Sequence, residues 1–147
     1  MKQGQVHYGY KSHIKVDVDR HLIRDLRVTP GNVHDGDIDL IKEGDYVAYR
    51  DKGYFGKHLH APGVADKTMK RSTRGRRLNG EEQRRNKAIG RIRAPGKRPF
   101  SAIKRVFKGD RTMVKTLKRV QVKEMFKCFA YDLYQLVTLE RKRVSGS

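Results

Sequence analysis

A chain of 147 residues can bury one hydrophobic core, so a single domain is expected. Its 35 Lys and Arg against 16 Asp and Glu give a formal net charge of +19 and a pI near 10.4, which calls for a polyanionic partner, nucleic acid ahead of a membrane surface. No run approaches the ~18 apolar residues that span a bilayer, no signal peptide opens the chain, and a single cysteine, Cys128, excludes an internal disulfide and fits a reducing compartment.

The charge is unevenly divided. Residues 1–66 carry 10 basic and 10 acidic residues, whereas residues 67–147 carry 25 basic and 6 acidic ones and so supply the whole excess. Residues 1–6 are polar, lack an N-cap, and look like a cut end. From Tyr8 the sequence alternates, with Tyr8, Tyr10, Ser12, Ile14, Val16 and Val18 on one face and Gly9, Lys11, His13, Lys15 and Asp17 on the other. That is a strand with one wet face. A turn over residues 17–20 leads into a second strand over 21–29, a hairpin that Pro30-Gly31-Asn32 stops. Residues 33–40 suit a short helix capped near Asn32 or Asp35, broken by Gly44-Asp45.

Residues 46–50 (Tyr-Val-Ala-Tyr-Arg) read as a buried strand that ends by presenting Asp51 at its carboxyl edge, ahead of a loop loosened by Gly53 and Gly56. The carboxyl edge is where α/β sheets place their chemistry, and a carboxylate there is a good Mg²⁺ ligand. The same position equally suits an N-cap following a strand, and the local residues do not separate the two readings. Residues 57–69 contain a turn at Ala61-Pro62-Gly63 and at best a short strand over 64–69.

The run from Lys70 to Arg77 is nearly devoid of apolar residues and should be a loop whose cations, Lys70, Arg71, Arg74, Arg76 and Arg77, are free to meet phosphates. Asn79 opens a helix with Glu81 and Glu82 in its first turn, running to Ala94, where Pro95-Gly96 interrupts it. Phe100, Ile103, Val106 and Phe107 follow at helical spacing, ended by Gly109-Asp110. A long helix is expected from Thr112, with Met125, Phe129, Leu133, Leu136 and Val137 as its core face and a frayed tail over residues 141–147. His58 and His60 could share a face and bind metal, but without further ligands at zinc spacing they read as surface histidines. His34-Asp35 could orient a ligand or simply cap a helix.

Taken in order, the blocks Tyr8-Gly9-Tyr10-Lys11-x-His13-x3-Asp17, Val28-Thr29-Pro30-Gly31-Asn32-Val33-His34-Asp35 and Asp51-Lys52-Gly53-Tyr54 resemble DDE transposases of the IS4/IS5 insertion-sequence superfamily. The resemblance covers almost the whole chain. It implies an α/β, RNase H-like fold in which Asp51 matches the second of three carboxylates around a two-metal (Mg²⁺ or Mn²⁺) site. The third carboxylate belongs to the pattern Tyr-x2-Arg-x3-Glu-x6-Lys, whose positions here are Gly90, Arg93, Lys97 and Lys104. The Arg and the final Lys agree, while Lys97 stands where the family has its Glu. The first Asp belongs on a strand before Tyr8, so the first strand is expected to be missing.

An ammonium cannot ligate Mg²⁺. The expectation is therefore a transposase fragment that binds DNA without cutting it and without holding a catalytic metal pair. Residues 1–69 would form the partial sheet and 70–147 the basic helical part of one domain. Arg93 and Lys104 would contact phosphates, with Lys97, Arg98, Arg105 and the run from Lys70 to Arg77. A second copy or an upstream transposase chain is the expected protein partner, in a cytoplasmic, nucleoid-associated setting. The rival reading is a non-enzymatic basic nucleic-acid-binding protein.

Overall fold

The computed structural model describes residues 9–109 and 111–146, so Tyr8 and the polar opening lie outside the described residues, as do Asp110 and Ser147. Strands β1 (Tyr10–Val16) and β2 (Ile23–Pro30) pair antiparallel, with Ser12 opposite Val28 and Ile14 opposite Leu26, and with a bulge between Lys15 and Val16. The alternation predicted this hairpin. Its turn is built by Asp17, whose Oδ1 accepts from the amides of Arg20 (2.6 Å) and His21 (3.1 Å), with His21 in the left-handed region at φ 58°.

A second, separate sheet pairs β3 (Val47–Ala48) with β4 (Ala65–Asp66), parallel. Its ladder is longer than the strands: the amides of Ala65, Lys67 and Met69 donate to the carbonyls of Tyr46, Ala48 and Arg50 at 3.0, 2.9 and 3.0 Å. The ladder thus ends one residue before Asp51. Only Ala48 and Arg50 of this segment are buried, and Tyr46 is exposed, so the expected buried strand is confined to its centre.

The helix expected over residues 33–40 is replaced by a single 3₁₀ turn, Asp35–Asp37. Asp35, Gly36 and Asp37 are turn formers, and the His34 ring accepts from the Gly36 amide at 3.0 Å, which offers the backbone an alternative to a helix. Gly36 also lets the two turns approach closely, because a Cβ there would lie 3.0 Å from the Gly53 carbonyl of the loop that follows Asp51 and would push it back by a few tenths of an ångström.

Helix α1 (Gly80–Arg93) starts with a full capping box, in which Asn79 accepts from the Glu82 amide and Glu82 from the Asn79 amide. A 3₁₀ turn, Ala94–Lys97, carries Pro95 and leads into α2 (Arg98–Arg105). Of the predicted apolar face of α2 only Ile103 is buried, alongside Pro99; Phe100, Val106 and Phe107 are exposed.

Helix α3 (Leu117–Ser145) begins later than expected, because Thr116 is extended and its hydroxyl caps the Arg119 amide. It also runs through the predicted frayed tail. No glycine or proline interrupts it before Gly146, and Lys142 and Arg143 suit its C-terminal dipole. Its core face is corrected too. Val120, Cys128, Tyr131 and Gln135 are buried on a helix that packs on the hairpin, chiefly on β2, whereas Met125, Phe129, Leu133, Leu136 and Val137 are exposed. The contact to the hairpin is substantially polar. Asp132 accepts from the Ile23 amide (2.8 Å), Gln121 from the Val28 amide (3.2 Å), and Tyr131 donates to the His21 carbonyl (3.1 Å). Side chains of α3 therefore satisfy amides on the edge of β2 that faces away from β1, which a hydrophobic stripe could not do. No described helix is long and apolar enough to cross a membrane.

Candidate functional site

The end of β3 positions Asp51 as expected. Its Oδ1 accepts from the Gly53 amide at 2.8 Å and caps the 3₁₀ turn Lys52–Tyr54, so the capping role is real. Its Oδ2 faces a different element and pairs with the guanidinium of Arg93 at 3.3 Å. Arg93 reaches it because Glu82, Asn86, Ile89 and Arg93 recur on one side of α1, the side turned toward the β3–β4 layer. Met69 lies under the same contact, its sulfur 3.9 Å from Arg93 Nη1 and its methyl 3.6 Å from the position of a Gly90 Cβ. Two residues that lie 42 positions apart in the chain are thereby joined.

Arg50, adjacent to Asp51, gave no signal in the sequence as a site residue. It is 7% exposed. Its guanidinium donates to Asp66 (2.6 Å), Thr68 (2.8 Å) and the Lys57 carbonyl (3.2 Å), and lies 5.6 Å from the centre of the Tyr54 ring. It ties the loop after Asp51 to β4. Burial, reinforced by the Asp51 and Asp35 carboxylates, pushes the Tyr54 phenol above its ordinary pKa. Behind this loop a cleft of about 280 Å³ is lined by Asp37, Asp39, Arg50, Tyr54, Lys57, His58 and His60. His58 and His60 are exposed and meet edge to face at 5.4 Å. Asp35 pairs with Lys11 at 3.2 Å, and His34 caps its own turn.

Among the described residues, no three His, Cys, Asp or Glu side chains converge to hold a cation. Asp51 already carries a guanidinium partner, and residues 1–7 contain no acid. Among the described residues, Asp51 is joined by no pair of further acids that would complete a carboxylate set for two cations.

The remaining predicted residues divide into held and free cations. The basic run is pinned at its base: the Lys70 amide donates to Asn86, Asn86 returns a bond to the Lys70 carbonyl, and buried Glu82 accepts from both Lys70 (2.9 Å) and Arg76 (2.8 Å). Lys70 and Arg76 are therefore occupied by an internal acid, which corrects the expectation that all five cations are free. Between Thr73 and Arg76 the chain closes a tight turn through Gly75 at φ 83°, which presents Arg74 at its tip. Arg71, Arg74 and Arg77 are exposed. Lys97 ends the 3₁₀ turn and Lys104 lies in the last turn of α2; both are exposed, as are Arg98 and Arg105, and none of the four side chains is hydrogen-bonded or ion-paired within the described residues. Neither Lys97 nor Lys104 joins the Asp51–Arg93 pair.

Residues 1–133 match the family model described as Transposase DDE domain. No curated protein and no solved structure matches the chain.

Proposed function

The chain belongs to the transposase DDE domain family, and from that membership we propose that it is the later part of an IS4/IS5-type, RNase H-like transposase core that holds DNA on its basic half and cannot cut it alone. Transposases act on DNA, and this family generally works with divalent metal. Two-metal phosphoryl transfer needs carboxylates that hold cations about 3.5–4 Å apart. Here Lys97 replaces the family's Glu, and an upstream segment would have to supply the first Asp. Asp51 would remain a metal ligand in an intact core. In this chain Arg93 neutralises it.

The observation that carries this reading is the Asp51–Arg93 contact at 3.3 Å, which brings the strand-end acid to the Arg of the Arg93-x3-Lys97-x6-Lys104 pattern. Arg71, Arg74, Arg77, Arg98, Lys104 and Arg105, with Lys97, would meet phosphates. Lys70 and Arg76 would contribute only by leaving Glu82. The packing of α3 on β2 supports treating 1–69 and 70–147 as one domain. The rival reading, a non-enzymatic nucleic-acid-binding protein, is favoured by Lys97 itself. It separates from the first if Lys97→Glu, together with an upstream strand carrying an acid, fails to produce metal-dependent cleavage.

Fluorescence anisotropy on duplex DNA over a salt series tests the binding. Each phosphate contact contributes about 0.9 to the log–log slope, so replacing Arg71, Arg74 and Arg77 by Ala should lower that slope by up to about 2.7. Salt-independent affinity would overturn the reading.

A further inference from the structure

The basic run from Lys70 to Arg77 is a braced turn. The amides of Thr73 and Arg76 donate to each other's carbonyls at 3.1 and 3.0 Å, and Gly75 at φ 83° closes the loop between them. At the base, the Asn86 side chain bonds both the amide and the carbonyl of Lys70 (2.9 and 2.8 Å), and buried Glu82 accepts from the Lys70 and Arg76 side chains. The tip reads Ser72-Thr73-Arg74-Gly75, all exposed, so Arg74 is the one long side chain among small ones. It has no hydrogen-bond or ion-pair partner among the described residues. An acid beneath the turn works against plain charge attraction, because it neutralises part of the cation cluster. What it secures is a fixed direction for the tip. Phosphates repeat along a duplex and attract any nearby cation, whereas base edges select a donor held in one place.

We propose that this turn enters the major groove of duplex DNA and that Arg74 reads guanine there, its guanidinium donating to O6 and N7 of one base. Two paired strands lie about 4.8 Å apart, and with their side chains they suit a groove about 12 Å wide but not one about 6 Å wide. Among major-groove edges only guanine sets two acceptors side by side; adenine pairs one acceptor with a donor, and thymine offers one acceptor beside a methyl. A guanidinium has donors only, in a planar fork that matches two acceptors. Small neighbours at Ser72, Thr73 and Gly75 let the tip come close to the base edges. Arg71 and Arg77, also exposed, remain for the phosphates. The inference rests on the DNA reading above and refines it at Arg74, whose charge still adds to the salt dependence because both phosphate backbones flank the groove.

Fluorescence anisotropy of the full chain on two duplexes of equal length, one of alternating G·C and one of alternating A·T pairs, tests it. The unaltered chain should bind the G·C duplex about tenfold tighter, and 7-deazaguanine, which exchanges N7 for C–H, should remove most of that preference. Arg74→Lys keeps the charge and loses the fork, so the preference should fall to within about twofold while the salt slope stays the same. Glu82→Gln keeps the capping box, which glutamine also closes, but releases Lys70 and Arg76. Affinity for both duplexes should then rise, the slope should steepen by up to about 1.8, and the preference should shrink. Equal affinity of the unaltered chain for the two duplexes, or a preference unmoved by 7-deazaguanine, Arg74→Lys or Glu82→Gln, would overturn the proposal. Salt-dependent binding without base preference leaves the DNA reading standing; if neither duplex is bound, both fall.

Discussion

The two faces of α3 make opposite predictions for substitutions only two residues apart. Tyr131 is 1% exposed, its ring packed between α3 and the hairpin and its hydroxyl bonded to the His21 carbonyl, whereas Phe129 is 62% exposed. Tyr131→Phe keeps the ring and removes one buried hydrogen bond, so it should cost about 1 kcal/mol. Tyr131→Ala also opens a cavity beside β2 and should cost about 3–5 kcal/mol, a large share of the ~5–15 kcal/mol that stabilises a domain. For a chain of this length that corresponds to a melting-temperature loss on the order of 10 °C. Phe129→Ala should cost less than about 1 kcal/mol, because most of the ring is already in water. Urea and thermal melts followed by circular dichroism, at a dilution where the chain is monomeric, give all three values. If Phe129→Ala destabilises the monomer as much as Tyr131→Ala, the assignment of the buried face is wrong.

Arg50→Ala should cost about 2 kcal/mol by leaving the Lys57 carbonyl and Asp66 without their donor, and Arg50→Lys should recover little of it because an ammonium cannot reproduce the planar fork; a denaturant midpoint that does not move would contradict this. Burial pushes Asp25, Asp45 and Asp66 up, but hydrogen bonds and cations, Lys42 at Asp25, Lys42 and Lys15 at Asp45, and Thr68 and Arg50 at Asp66, outweigh it and hold all three below the ordinary carboxylate value. Folding therefore favours their ionised forms. The stability they contribute is complete above about pH 4 and is lost as pH falls through the depressed values, so the urea midpoint should drop below pH 4 and Asp66→Asn should flatten that drop. A midpoint constant down to about pH 2 would refute the assignment.

What the sequence made legible follows the strength of its local signals. The period-two run into Asp17 specified the hairpin, and Asn79 with Glu82 fixed the start of α1, because both signals are satisfied within a few residues. Pro95-Gly96 likewise set the end of α1. The buried face of α3 was hidden because its inward residues are largely polar or amphipathic. Gln121, Asp132 and Gln135 point at backbone groups of the hairpin, a role that no helical periodicity encodes, while the more hydrophobic residues line the opposite side. The same applies to α1, where Glu82 and Asn86 are buried to hold the basic turn. At the candidate site, Asp51 stood out from the strand that ends before it, whereas Arg93 entered only through the resemblance to the transposase pattern. Arg50 was not legible, since a lone arginine inside a strand becomes meaningful only when Asp66, Thr68 and the Lys57 carbonyl close around it.

The central claim is that this transposase-family chain holds DNA but lacks the carboxylates to cleave it alone. A nicking assay on supercoiled and linear duplex DNA with Mg²⁺ or Mn²⁺, run on the unaltered chain beside Asp51→Asn, tests it most directly. The account predicts DNA retention by both proteins and no strand cleavage that depends on Asp51. Metal-dependent nicking by the unaltered chain that disappears in Asp51→Asn would contradict it.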